Sequence, residues 1–165
     1  MNFKEIKIVI SEVDGIVTEG LSGIGEMNIT MFKQFYMKDF EAINQIKRDK
    51  VFVFLSADAA ISMSTCKVKN IPFFHAVKSK QDIYNQVLRR YSVTPDNVLY
   101  VASTFSDIEC MKMSALSLCP EDAPMSIKNH ADIVLPLMSG TGVLCYVYDF
   151  LEANKNTECD GICQP

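Results

Sequence analysis

The sequence predicts an α/β protein with a doubly wound, Rossmann-like parallel sheet. Short apolar runs recur along the chain, and several are continuous rather than alternating, as in strands covered on both faces. Segments with amphipathic helical spacing lie between these runs. Polar residues follow the ends of several runs, at the edge where such sheets bind ligands. Alternation of this kind favours βαβ units in a single sheet.

Six apolar runs are the predicted strands. They lie at residues 6–11, 51–56, 72–76, 98–103, 115–120 and 132–136. Four amphipathic segments are the predicted helices: "MKDFEAINQIKRDK", "KQDIYNQVLRRYSV", "FSDIECMKMSA" and "VLCYVYDFLEA". In the second of these segments Ile83, Val87 and Tyr91 share one face, as an amphipathic helix requires.

Residues 16–36 break this alternation. Glycines separate two extended arms there, which is typical of a β-hairpin. Because the segment follows the first strand directly, we predict a flap over the end of that strand; a plain extension of the sheet is the alternative. An insert of this size leaves no room for a cap domain. We expect one domain over residues 1–153 and a flexible tail over residues 154–165.

Composition narrows the function classes. The 165 residues carry a formal net charge of −4 and no basic run, so a nucleic-acid partner is not expected. No apolar stretch approaches the ~18 residues that span a bilayer. The N-terminus lacks the apolar region of a secretory signal, and we predict a reduced compartment, cytoplasmic with the nucleus as the alternative. Cys159 and Cys163 give a weak metal or disulfide signal, and a disordered tail is the favoured interpretation there.

Polar side chains collect at the predicted carboxyl ends of the strands. They are Glu12 and Asp14 after the first strand, Ser56 at the end of the second, Lys78 and Lys80 after the third, and Ser103, Thr104 and Asp107 after the fourth. Carboxylates, a hydroxyl and a lysine in one crevice suit a phosphate monoester with a divalent ion. One acid oxygen attacks phosphorus, cations neutralise the phosphoryl oxygens, and a second acid moves a proton.

Each of these residues also has a plainer structural explanation. Asp14, which precedes Gly15, fits a turn. Ser56 fits the cap of the following helix, and Lys80 fits a solvated first helical turn. Ser103 and Thr104 are expected to bond to nearby backbone groups rather than to a metal.

Over about residues 5–152 the chain resembles the haloacid dehalogenase-like phosphatases, in the capless branch of the 3-deoxy-manno-octulosonate 8-phosphate phosphatases. The segments that carry this resemblance are "VDGIVTEG", "MKDFEAI", "LSA", "VKSKQDIY", "YVASTFSD", "LCPEDAP" and "SGTGVL", in family order. Through "SDIECMK" and "PEDAP" the chain also resembles the C-terminal domain of animal CMP-sialic acid synthetases.

The first resemblance implies a role for each site residue. Glu12 stands where the family has its nucleophilic aspartate, and Asp14 matches the acid/base. Ser56 matches the phosphate-binding hydroxyl, and Lys80, with Lys78 as the alternative, matches the phosphate-neutralising lysine. The family's metal-binding aspartate pair falls on Ser103 and Thr104, which leaves Glu12, Asp14 and Asp107 as the implied Mg²⁺ ligands.

These departures from the family pattern predict impaired catalysis. The extra methylene of Glu12 moves the attacking oxygen by roughly 1.5 Å, and misplacement on the order of 1 Å can cost ~10²-fold in rate. Hydroxyl groups are weak Mg²⁺ ligands. We therefore expect weak or absent Mg²⁺ binding and a phosphatase-fold pseudoenzyme that acts as an oligomeric or regulatory module.

Two other functions stay open. The first is an active Mg²⁺-dependent phosphatase on a 3-deoxy-sugar-acid or sialic-acid-type phosphate. The second is an assembly domain in CMP-sialic acid synthesis, with a nucleotidyltransferase partner. Steady-state hydrolysis of a phosphate ester in the presence of Mg²⁺ separates the first of these from an inactive module.

The flap predicts a homotetramer. Its apolar residues are too numerous for both faces of a lone hairpin, which is marginally stable in water; they are Ile29, Met31, Phe32, Phe35 and Tyr36. In the family that the chain resembles, such flaps pack together and four subunits form a ring. Closed symmetric homo-oligomers are the common way to cover such a surface.

Overall fold

A computed structural model describes residues 5–57 and 60–155 of the chain. Its central sheet contains six parallel strands. They are β1 (Ile8–Ser11), β4 (Val51–Ser56), β5 (Phe73–His75), β6 (Val98–Val101), β7 (Leu116–Pro120) and β8 (Ile133–Leu135). Their spatial order is β5-β4-β1-β6-β7-β8. The chain winds outward from β1 in both directions, as in a doubly wound sheet.

Helices cover both faces of this sheet. They are α1 (Met37–Ile46), α2 (Ala60–Val68), α3 (Lys80–Tyr91), α4 (Ile108–Met113), α5 (Met125–Lys128) and α6 (Val143–Asn154). The core beneath α1, α2 and α6 is separate from the core beneath α3, α4 and α5. The sheet is therefore the middle layer of three.

Strand β1 explains why the apolar runs are continuous. Val9 faces one core, whereas Ile8 and Ile10 face the other, because successive side chains on a strand point to opposite faces. All three are fully buried. Burial of each such side chain stabilises the fold by about 1.5–3 kcal/mol, so both faces of β1 hold the layers together.

The predicted flap is present as an antiparallel hairpin of β2 (Ser22–Ile24) and β3 (Thr30–Lys33). The loop before α6 holds its base, because the amide of Gly140 donates to the carbonyl of Ile16 at 3.0 Å. Gly140 has a φ of +67°, and a Cβ there would lie 2.6 Å from the amide nitrogen of Glu19. Only glycine fits this close approach without moving the hairpin.

The α/β class, the doubly wound sheet and the hairpin are confirmed. Two helices, α2 and α5, were not among the four predicted. Within the described ranges no helix is long and apolar enough to cross a membrane. Of the predicted tail only residues 154 and 155 are described, and Cys159 and Cys163 lie outside the described residues.

Candidate active site

The predicted site residues come together at the carboxyl ends of β1, β4 and β6. Glu12 follows β1 directly, Ser56 is the last residue of β4, and Thr104 follows β6. An open cleft of about 210 Å³ lies between them. Its lining residues are Glu12, Asp14, Ser56, Ala57, Thr104 and Ser106. The topology therefore brings residues from three separate parts of the chain to one crevice.

Glu12 is only 2% exposed, and both of its carboxylate oxygens are bonded. Oε1 accepts a hydrogen bond of 2.8 Å from the amide of Val13. Oε2 accepts a hydrogen bond from the ammonium group of Lys80. The carboxylate at the position of the expected nucleophile is therefore held at both of its oxygens.

Lys80 is the first residue of α3 and is 6% exposed. Its Nζ also donates to Oδ1 of Asp107 at 2.5 Å and to Oγ1 of Thr104 at 3.2 Å. One ammonium group thus bridges the carboxylates of Glu12 and Asp107. The structure favours Lys80 over Lys78 as the site lysine, because Lys78 is exposed on the preceding turn.

Asp107 is fully buried and saturated with donors. Besides Lys80, its Oδ1 accepts from Tyr100 Oη at 2.8 Å. Its Oδ2 accepts from the amides of Ser103 and Thr104 at 3.1 and 2.8 Å, and from Thr104 Oγ1 at 2.9 Å. This carboxylate fixes the loop after β6 to the end of that strand.

Asp14 is held by a lysine that the sequence did not suggest. Oδ2 of Asp14 lies 2.6 Å from Nζ of Lys33, the last residue of β3. Lys33 has a side chain only 1% exposed, and its Nζ also lies 3.4 Å from Oγ of Ser62. Oδ1 of Asp14 accepts from Thr18 Oγ1 at 3.1 Å. The flap therefore inserts a cation into the site.

Ser103 completes the contact between the two acidic loops. Its hydroxyl donates to the carbonyl of Asp14 at 2.5 Å. Space is tight there, because a Cβ on Gly15 would lie 2.8 Å from Cβ of Ser103. Gly15 has a φ of +76°, and its missing side chain lets the loops after β1 and β6 approach each other.

Burial and the charge of the partner shift the pKa of Glu12, and that of Lys80, in opposite directions. Burial raises the pKa of Glu12; Lys80 opposes this shift and Asp107 adds to it. For Lys80, burial alone lowers the pKa, but Asp107 and Glu12 outweigh it and the net shift is upward. Lys80 is thus kept protonated.

The carboxylate oxygens at this site already accept hydrogen bonds from the protein itself. The lysines and backbone amides occupy the carboxylates, and the carbonyl of Asp14 accepts from Ser103. Within residues 5–57 and 60–155 no three His, Cys, Asp or Glu side chains are grouped closely enough to hold a metal ion. The implied ligand set of Glu12, Asp14 and Asp107 stays a prediction.

Comparison with known proteins identifies relatives, although no family model matches the chain. It is 26% identical over 151 residues to the 3-deoxy-D-manno-octulosonate 8-phosphate phosphatase of Escherichia coli K12, covering 90% of this chain and 80% of that protein. The cobalt-bound form of the corresponding Haemophilus influenzae phosphatase superposes with a TM-score of 0.87 at 25% identity, covering 94% and 92% of the two chains.

The Moraxella catarrhalis enzyme shows the same fold at 15% identity, with a TM-score of 0.85 and coverage of 93% and 90%. That structure contains magnesium, phosphate and the sugar acid. The resemblance to animal CMP-sialic acid synthetases stays a prediction.

Proposed function

We propose that this chain, which is similar to the 3-deoxy-D-manno-octulosonate 8-phosphate phosphatases of the haloacid dehalogenase-like superfamily, is a phosphatase-fold protein with impaired catalysis. On this proposal it has kept the family's architecture and serves as an oligomeric or regulatory module. One observation carries the proposal: lysine side chains and backbone amides of the chain bond to the carboxylates at the strand ends.

The nucleophile position supports this proposal. A nucleophilic carboxylate needs a free oxygen aimed at phosphorus, yet Oε2 of Glu12 is held by Lys80 and Oε1 by the amide of Val13. The longer glutamate side chain lines the cleft but is itself only 2% exposed. Each of these features opposes in-line attack, for which reacting atoms must be held about 3–3.5 Å apart.

The donor set does not fit Mg²⁺. That ion requires near-octahedral oxygen ligation and is usually held by one or two carboxylates. Lys33 and Lys80 place positive charge against Asp14, Glu12 and Asp107, which a second cation would have to displace. Ser103 and Thr104 offer hydroxyls where the family has aspartates. No step of a reaction is therefore assigned to a metal in this chain.

The test is steady-state hydrolysis of 3-deoxy-D-manno-octulosonate 8-phosphate and of an aryl phosphate, with Mg²⁺, beside the E. coli enzyme. We expect turnover at least ~10³-fold below that enzyme, from the combined loss of nucleophile geometry and metal charge. Turnover near 1 s⁻¹, within the ordinary enzyme range, would refute the proposal.

The same assay tests the alternative of an active phosphatase. The likeness to phosphatases of a sugar-acid phosphate favours this alternative. It requires Glu12 to release Lys80 when substrate and metal bind. The assay should also include a sialic-acid-type phosphate, which is the second substrate class that the sequence predicts.

The oligomeric part of the proposal rests on the flap. Its apolar side chains are largely solvent-exposed in the single chain; they are Leu21, Ile24, Met27, Ile29, Met31 and Phe32. A surface of this kind usually marks a protein contact, and a second copy of the same hairpin is the symmetric partner. We propose a homotetramer assembled through the flaps.

The assembly domain for CMP-sialic acid synthesis is the remaining alternative. It predicts that the purified chain binds a CMP-sialic acid synthetase nucleotidyltransferase domain. Analytical ultracentrifugation of the two proteins together would reveal such a complex.

A further inference from the structure

A second cleft lies away from the candidate active site, near the amino ends of β4 and β5. It has a volume of about 480 Å³. Its lining residues include Ile71 and Pro72, which precede β5, and Tyr91 at the end of α3. The candidate active site lies at the opposite, carboxyl ends of the strands, so the two clefts are separate.

Three cations line this cleft. Lys47 follows α1, Lys67 lies in the last turn of α2, and Arg90 lies in the last turn of α3. Among the described residues that line it, none is acidic. Three helices from different parts of the chain thus direct positive charge to one place.

The wider distribution of charge makes this convergence unusual. The chain has 16 lysines and arginines against 20 acids. Seven of those 16 basic residues lie at the ends of these three helices: Lys47, Arg48, Lys50, Lys67, Lys69, Arg89 and Arg90. The other nine basic residues are outnumbered by the 20 acids of the chain, so this end, although it also holds Asp49, is the basic pole of the molecule.

Interaction with helix dipoles explains cations at helix C-termini in general, but it does not explain a shared cleft. Two of the cations are also positioned by specific contacts. Lys47 Nζ donates to the carbonyl of Asn70 at 2.7 Å, and the guanidinium of Arg90 lies 5.8 Å from the centre of the Phe74 ring. Such contacts reduce the entropy that each side chain would lose on binding an anion.

We propose that this cleft binds a small phosphorylated ligand. Its volume falls in the range of small-molecule sites, about 300–1,000 Å³. Arginine and lysine are the usual partners of phosphoryl oxygens. Ile71 and Tyr91 provide an apolar wall for an organic group beside the phosphate. This proposal is independent of the state of the candidate active site.

The test is titration calorimetry with inorganic pyrophosphate at low salt, without metal and in the presence of a chelator. We expect one site per chain and weaker binding as salt is added, because exposed charges are screened. Lys67→Gln and Arg90→Gln should each weaken binding about tenfold, from loss of one charge-assisted hydrogen bond. The matched control is Lys112→Gln, an exposed lysine on α4 paired with Glu109, which should leave affinity unchanged.

Transverse-relaxation-optimised NMR then locates the site. Pyrophosphate should shift the amide signals of Asn70, Ile71 and Tyr91, and leave those of Asp14 and Thr104 in place. A nucleoside diphosphate that binds more tightly than pyrophosphate would identify an organic phosphate as the ligand class, and equal affinity would indicate a simple phosphate site.

Three results would overturn the proposal: no binding at millimolar pyrophosphate, shifts confined to the candidate active site, or affinity unchanged in Lys67→Gln and Arg90→Gln. Binding of polyglutamate without binding of pyrophosphate would also overturn it, and would identify the basic pole as a surface for an acidic protein. Thermal melting of each variant excludes unfolding as the cause of any loss.

Discussion

The ammonium of Lys33 lies 2.6 Å from Oδ2 of Asp14, and this ion pair joins the flap to the candidate active site. Lys33 is nearly fully buried, whereas the Asp14 side chain is 24% exposed. The pair connects the hairpin to the loop after β1 through side chains. The position of the flap and the charge state of the site are therefore linked.

Lys33→Met is expected to lower the free energy of unfolding by about 2 kcal/mol. Loss of one partner from a buried pair is strongly destabilising, and the partial exposure of Asp14 reduces that cost. Urea denaturation measures the change. The double variant Lys33→Met/Asp14→Asn removes both charges of this pair and should recover part of the loss; additive effects in this cycle would mean that the pair contributes no coupling.

Glu12→Asp combined with Ser103→Asp and Thr104→Asp should raise phosphatase activity. The shorter acid and the two new carboxylates restore the pattern of the family. If the remaining frame is intact, the gain should reach ~10²-fold over the parent chain. Hydrolysis of an aryl phosphate with Mg²⁺ is the measurement. A folded triple variant without any gain would show that other parts of the site have also changed.

Calorimetry with Mg²⁺ should show weak or no binding to the parent chain, since Lys33 and Lys80 already neutralise the carboxylates. The triple variant should bind Mg²⁺ more tightly, because it adds two carboxylates to the donor set. Micromolar affinity in the parent chain would contradict this expectation. It would also show that the oxygen donors of the site do fit Mg²⁺.

Light scattering at micromolar concentration should give about four times the 18.5 kDa chain mass. Phe32→Asp should reduce this mass, because Phe32 is 59% exposed on the hairpin. Met125→Asp, at a residue similarly exposed on α5, is the matched control and should leave the mass unchanged. A stable monomer in the parent chain would rule out assembly through the flap.

Phe35→Asp should act differently from Phe32→Asp. The Phe35 ring packs 5.8 Å from that of Phe40, against the core beneath α1. An aspartate there would bury a charge, so we expect a lower melting temperature. If Phe35→Asp instead dissociates the oligomer at unchanged stability, the interface extends to the inner side of the flap.

Asp39 should make stability depend on pH. Burial raises its pKa from 3.8 to about 6, although hydrogen bonds from Cys145 and Leu144 oppose the shift. The folded state then holds the proton more tightly than the unfolded state. The contribution of Asp39 to stability is therefore greatest below about pH 4 and is lost as pH rises through about 6, by at most about 3 kcal/mol.

Asp39→Asn isolates this effect. Its amide oxygen can still accept from the backbone amides of Leu144 and Cys145, which Asp39 Oδ1 contacts at 2.9 and 3.0 Å. The difference between urea unfolding curves of the two proteins should shrink as pH falls from 7 to 4. Parallel pH profiles would show that Asp39 does not titrate in this range.

The sequence predicted best where local pattern and burial agree. The run at residues 51–56 became β4 with the same bounds, because apolar β-branched and aromatic residues suit a strand covered on both faces. The order of strands and polar loops also predicted that Glu12, Ser56 and Asp107 would meet at one edge of the sheet. Topology alone is enough for that result.

Helix α2 escaped prediction for a physical reason. Its residues, "AISMSTCKV", include several poor helix formers, and only Ser62 and Cys66 among them are buried. The segment therefore lacks the broad apolar stripe that marks an amphipathic helix. Tertiary packing beside β3 and β5 stabilises it.

The role of Lys33 escaped prediction because its partner lies far along the chain. The available signal was a charged residue in an otherwise apolar hairpin arm, next to Phe32. That signal says that the side chain needs a counter-ion, but it does not say which acid supplies it. Only the folded hairpin brings Nζ of Lys33 to Asp14.

Both carboxylate oxygens of Asp107 accept several hydrogen bonds from the protein, and this affects what a comparison of motif residues can say about activity. Its carboxylate organises the loop after β6 through two amides and two hydroxyls, so loss of the acid would damage the architecture even in a protein without a reaction. A survey that scores enzymes by retained motif residues would count this position as evidence of activity. In this chain the hydrogen bonds of Asp107 to the loop after β6 are enough to explain the aspartate. Its presence therefore does not indicate catalytic activity.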